Sequence, residues 1–208
     1  MSERTRLRRL PKRAVEERAA IEAILDEAMV CHLGFVAADG HPVVTPTLHA
    51  RDGRMLYVHG SAASRTLRTL AGGIDVCVTA TLIDGVVLAR AAFHHSVNYR
   101  SAMVFGRAEA ITAEAEKNAV LHAFTDKLVP GRWAEARPPT AQELKGTAVL
   151  RIPLDEVSAK VRTGGPVDDD EDYGMDVWAG VVPLEVRRLA PVADERLDPA
   201  IPLPPYLI

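Results

Sequence analysis

The stretch from residue 30 to residue 60, "VCHLGFVAADGHPVVTPTLHARDGRMLYVHG", limits the fold more than any other part of the chain. Three runs rich in β-branched and aromatic residues are separated by "ADGH" and "ARDGR". Asp-Gly between such runs is a strong tight-turn signal, because glycine accepts the positive φ that hairpin turns require. The runs are expected as strands Val30–Ala37, Pro42–Ala50 and Met55–Gly60 of an antiparallel meander. Ahead of them, Val15, Ala19, Ile21, Ile24, Leu25 and Met29 recur near helical spacing, which predicts a helix over about residues 14–29.

After the meander, residues 61–72 read as a short helix and "DVCVTATLIDGVVLA" returns to strand. "SAMVFGRAEAI" is another strand, in which Gly106 marks a bulge or a close backbone approach. "AEAEKNAVLHAFTDKLV" is helical, with Val120, Leu121, Phe124 and Leu128 on one face, and Pro130-Gly131 ends it. "GTAVLRIPLDEVSAKVRTG" predicts one further strand, and the tail is acidic before it turns apolar around Trp178. Strands dominate and hairpin signals recur, so parallel βαβ units do not fit. The expected class is mainly β with helices (α+β), a small antiparallel barrel with helices packed outside it.

A chain of 208 residues can bury one real core. Its formal charge of −3 argues against a bulk basic surface for nucleic acid. The basic cluster Arg4–Arg13 fits a nucleic-acid arm less well than a solvated lead-in or an arm packed on a partner subunit. Cys31 and Cys77 sit in apolar runs and read as small buried hydrophobes. Two thiols make no disulfide framework, which points to a reducing, cytoplasmic setting. The charged N-terminus has no apolar h-region, and no apolar stretch is long enough to cross a bilayer, so no membrane association is expected.

"LYVHGSAASRTLRTLAGG" ends a strand in Gly60, opens a helix with Ser61 and Ser64, and puts Arg65 on its first turn. Unpaired N–H groups at a helix start attract anions, Ser61 can cap and an arginine fork suits phosphate oxygens. The same residues also fit a capped surface helix with a solvent-facing arginine. The stretch is neither a P-loop nor a Rossmann fingerprint. A second cluster, "FHHSVNYRSAMVFG", places Asn98, Tyr99, Arg100 and Ser101 ahead of a strand. A third, "VVTPTLHA", sets Pro46 inside an extended run, unusual for a strand paired on both sides.

The order "GFV…DGHPVVTPTLHARDGRMLYVHGSAASRTLRTL…VCVTATL…NYRSAMVFGRA" resembles the pyridoxamine 5′-phosphate oxidase-like flavin-binding family, nearest its nitroimidazole-resistance-related branch. The resemblance spans roughly residues 10–160, and the "AKVRTGGPVDDDEDYGMDVWAGVVPL" tail also looks like that branch. It implies a split β-barrel flavin-binding domain over residues 1–160 and a C-terminal extension, 161–208, packing on the barrel or the dimer partner. It further implies a homodimer with FMN at the subunit interface and a small-molecule substrate. His59, Gly60, Ser61, Ser64 and Arg65 would hold the flavin phosphate. Thr45, Pro46, Thr47 and Leu48 would run beside the isoalloxazine ring, with Thr79 among the contacts. Tyr99, Arg100 and Ser101 would reach the phosphate, ribityl chain or ring. The family often carries two adjacent basic residues at the phosphate helix; here Thr66 follows Arg65, leaving Arg68 or Arg100 to supply the second charge. Lys160, Arg162 and Trp178 could contact flavin across the dimer, or Trp178 could simply plug the interface.

The resemblance does not imply the named oxidase reaction, since the tail is rich in aspartate rather than basic. Flavin itself supplies hydride or electron transfer, so no catalytic residue is assigned, and there is no GxSxG. The expectation is an FMN-dependent oxidoreductase. The alternatives are a non-catalytic flavin or haem protein, or an F420-dependent reductase on the same fold. His94 and His95 could line a substrate pocket or bind haem, but adjacent strand residues face opposite ways, so at most one would face a site. No histidine shows metal-ligand spacing, and "DDDED" reads as a solvated acidic loop; no metal is expected.

Overall fold

The computed structural model describes residues 2–207. Two antiparallel sheets face each other without closing into a complete barrel. The larger runs β1 (Ala14–Val15), β10 (Glu156–Arg162), β7 (Ser96–Arg107), β6 (Asp75–Leu88), β2 (Val30–Val36), β3 (Pro42–Leu48), and β11 (Gly180–Pro183) joins the far part of β6. The smaller runs β4 (Ala50–Asp52), β5 (Met55–Ser61), β9 (Thr147–Pro153), β8 (Glu109–Ile111). Helices α1 (Arg18–Glu27), α2 (Arg65–Ala71), α3 (Glu114–Leu128) and α4 (Ala141–Gly146) pack around them. This is the split-barrel arrangement expected from the sequence.

Strand alternation builds two cores. Leu56 and Val58 of β5 face the main core with Leu33, Val78, Val104, Leu150 and Ile152, which α1 covers with Ile21, Ile24 and Leu25. Tyr57, between them, faces the other way and joins Val149, Ile111, Val120 and Phe124 under α3. Each fully buried aliphatic side chain contributes about 1.5–3 kcal/mol.

Both Asp-Gly turns form where expected, with Gly40 at φ 88° and Gly53 at φ 52°. The meander does not. β2 pairs with β3 in the larger sheet, and β4 pairs with β5 in the smaller, so the chain changes sheets at His49. Pro46 is tolerated because β3 is an edge strand. The first helix begins at Arg18 rather than residue 14, because Ala14 and Val15 pair with Lys160 and Ala159. The single strand expected over 147–162 is two, β9 and β10, in different sheets. α4 was not expected, although its capping box, Thr140 with Glu143, is legible in "TAQE". Gly106 is a close approach: a Cβ there would lie 2.9 Å from Ile152 Cγ2 in the facing sheet. Cys31 is buried, but Cys77 is only partly so.

Candidate functional site

Pairing register decides which candidate residues meet. Ser158 lies opposite Met103, Met103 opposite Thr79, Thr79 opposite His32, and His32 opposite Pro46. This row crosses β10, β7, β6, β2 and β3. Its members alternate with buried Val104, Val78 and Leu33, so the row faces outward. Lys160, Ser101 and Thr81 form the adjoining row, and Ser101 Oγ lies 3.4 Å from the Lys160 carbonyl oxygen. Tyr99 pairs with Ile83 one step further along. Pro46, Thr79, Tyr99, Ser101 and Lys160 therefore share one sheet face. His32, Met103, Ser158 and Thr81 lie on it too. Sequence reading missed these four, because only register reveals them. Thr45 and Thr47 alternate with Pro46 and lie opposite Leu33 and Cys31, on the inner side. Leu48 packs at the edge of the second core.

Arg100 occupies the other face of β7 and is fully engaged. Its guanidinium bonds Asp84 through Nε and Nη2, and Glu27 through both terminal nitrogens, at 2.7 Å from Nη2 to each carboxylate. It is not free to supply the second phosphate charge. Its hydrogen bonds hold the Glu27 carboxyl below its ordinary range.

At the end of β5, the expected cap is displaced. Ser64, not Ser61, is the N-cap of α2 and accepts from the Leu67 N–H at 3.4 Å. Ser61 Oγ instead accepts from Ala63 N–H at 3.1 Å. Gly60 has a negative φ; its role is space, since a Cβ would sit 3.0 Å from Leu67 Cδ1. His59 packs edge-on against Phe124 at 4.2 Å, and burial lowers its pKa. Arg65 and Arg68 are exposed and form no ion pair among the described residues. Arg65 borders a cavity of about 270 Å³ with Phe35, Asp39, His41, Val43 and Thr66.

The tail from residue 163 is tied to the connection between β6 and β7. Buried Arg162 donates to Asn98 and to the carbonyls of Gly164 and Gly165. The buried Asp168 carboxylate accepts from Arg90 N–H at 2.9 Å, Ala91 N–H at 3.3 Å and the Arg90 guanidinium at 3.1 Å. His94 and His95 lie at a 3-10 turn, Ala92–His94, rather than within a strand as expected. His94 Nε2 contacts Asp169 at 3.2 Å, and Asp172 brings a third potential ligand atom within 4.8 Å of both. Trp178 is 65% exposed. No described helix is long and apolar enough to cross a membrane.

Comparison with known proteins agrees with this architecture. A family model described as pyridoxamine 5′-phosphate oxidase matches residues 17–161. The flavocytochrome Anf3 from Azotobacter vinelandii is 42% identical with a TM-score of 0.93, covering 99% of this chain and 95% of that one. The FAD and heme binding protein from Mycobacterium smegmatis is 40% identical with a TM-score of 0.89, covering 94% and 95%. A Bacteroides thetaiotaomicron protein assigned to 5-nitroimidazole antibiotic resistance, 24% identical with a TM-score of 0.61 over 71% and 86%, shares the fold. A search of curated proteins found no match.

Proposed function

The chain belongs to the pyridoxamine 5′-phosphate oxidase family, and on that premise we propose that it is a flavoprotein that also takes a haem and works as an oxidoreductase. The observation that carries this reading is the outward row Ser158–Met103–Thr79–His32–Pro46, on a chain similar over nearly its whole length to two proteins named for flavin and haem. Those names weigh towards FAD as the flavin, ahead of the FMN that the sequence resemblance implied and of F420.

The residues present fit a flavin. Arg65 and Arg68 are two guanidinium groups in no ion pair among the described residues, which leaves their forks open to phosphate oxygens, with Asp39 on the same cavity as Arg65. Thr79, Thr81, Ser101, Ser158 and Lys160 offer hydroxyl and ammonium donors along the outer face, and Pro46 and Met103 offer apolar contact for a planar ring. Bound there, flavin would supply hydride or single-electron transfer. The chain's part is to orient the ring and exclude water.

The same face exposes Val30, Val36, Val44, Ile83 and Met103. A row of large apolar residues of this kind marks an interaction surface. A second copy covering it would form the homodimer and shield the ring. Lys160 and Trp178 then have two roles open, flavin contact or interface packing. Free Cys31 and Cys77 fit a cytoplasmic setting.

Mass spectrometry of the cofactor released from purified protein tests the reading, with FAD and haem the expected species. Bleaching of the flavin bands by NADH or NADPH separates an enzyme from a carrier. A protein that takes up neither flavin nor haem on reconstitution overturns the assignment.

A further inference from the structure

Resting on the reading that this chain takes a haem, we infer that His95 is the axial ligand of the iron, through Nε2. His95 Nδ1 lies 3.1 Å from the carbonyl oxygen of Ala91. A carbonyl can only accept, so Nδ1 carries the proton and the neutral ring keeps its lone pair on Nε2. That atom has no partner among the described residues, and the residue is exposed. A metal-binding imidazole takes this form, with one nitrogen held by a backbone oxygen and the other free for the metal.

The carbonyl that fixes the ring is itself fixed. The Ala91 N–H donates to the buried Asp168 carboxylate, which also takes Arg90 N–H and the Arg90 guanidinium. Orientation of the imidazole is therefore built into the β6–β7 connection. Exposed apolar residues flank His95 in the chain: Phe93 is 91% exposed and Val97 39% exposed. Phe93 packs edge-on against the neighbouring His94 ring, with centroids 5.3 Å apart, and leaves the rest of its surface where a porphyrin edge would bury it.

The other histidines fit less well. His94 Nε2 is taken by Asp169, His122 Nε2 by Asp126 and His41 Nδ1 by Asp39. His49 and His59 are turned into the protein, each with a buried Nδ1. His32 lies in the flavin row, with no second residue fixing its tautomer. His95 closes the 3-10 turn immediately before Ser96, the first residue of β7, whose outward face carries Val97, Tyr99 and Ser101. At about 3.3 Å per residue, Tyr99 lies about 13 Å along the strand from it and Ser101 about 20 Å. β7 thus runs from the haem end to the flavin row.

Visible spectra of the full chain reconstituted with hemin and with FAD test this. The wild-type protein shows a Soret band, His95→Ala loses it and regains it with added imidazole, and His94→Ala keeps it. Far-UV circular dichroism and retained flavin bands verify that His95→Ala is folded. His95→Met, which offers a different donor, shifts the Soret position. A folded His95→Ala that keeps the wild-type Soret band, with no response to imidazole, overturns the ligand assignment alone. A wild-type protein with flavin bands and no Soret band overturns the haem reading beneath it.

Discussion

Lys127 and His49 meet in the interior: the lysine Nζ lies 3.0 Å from the imidazole Nε2. Both atoms also reach the carbonyl oxygen of Leu25, at 2.8 and 2.7 Å. Burial, with the Lys127 charge second, pushes the His49 imidazole down to about 4. The unfolded histidine titrates near 6.5, so between these values the unfolded chain binds more protons, and stability falls as pH drops through that window. The loss between pH 6.5 and 5 is expected to be about 1–2 kcal/mol. Urea midpoints at the two pH values measure it, and His49→Gln flattens the slope.

The lysine of the same pair gives a second window. Burial pushes the Lys127 ammonium down to about 8, with Asp26 opposing. The unfolded lysine keeps its proton to about 10.5, so stability rises from pH 8 towards 10. Lys127→Met removes that rise. A variant whose alkaline profile parallels the wild type would show the ammonium to be unperturbed.

Arg65 and Arg100 part company. Arg65→Ala weakens flavin binding by about 1.5–3 kcal/mol, the loss of a charge-assisted hydrogen bond to phosphate, read by titration of flavin fluorescence. Arg100→Ala leaves flavin affinity near the wild type and lowers stability by about 1 kcal/mol, because Asp84 and Glu27 lose their shared cation.

Gly106→Ala tests the contact between the sheets. The added methyl would meet Ile152 Cγ2 at 2.9 Å and the Pro153 carbonyl oxygen at 3.3 Å, and Ile152 is fully buried. Overpacking there costs about 1–3 kcal/mol, measured by urea denaturation.

Trp178→Ala changes thermal stability little, since the side chain is mostly in solvent. Under the dimer reading it shifts the sedimentation profile towards monomer. An unchanged association constant would leave Trp178 outside the interface.

The strands around the two Asp-Gly turns, the buried positions Ile21, Ile24 and Leu25 of α1 and Val120 and Phe124 of α3, and the family motifs were legible in the sequence, because each depends on residues close together in the chain. The change of sheet at His49 was not. Nothing within "TLHARDG" tells a hairpin partner from a strand of the opposite sheet, and the packing of Ala50 and Tyr57 under α3 settles it. The site divides in the same way. Arg65 and the serines announced themselves as a basic, capped turn, yet which serine caps depends on how β5 enters α2.

The sequence by itself determined local geometry: where glycine turns the chain, where polar and apolar residues alternate, and that the chain matches a known family. Tertiary structure decided which residues face each other. Pairs such as His32 with Thr79 and Arg100 with Glu27 are separated by dozens of residues. A one-residue slip in register would turn each strand's side chains to the opposite face. Arg100 was drawn to carboxylates brought near by β6 and α1, and His94 met Asp169 of a tail that folds back from residue 163, while the adjacent His95 took the Ala91 carbonyl of its own turn.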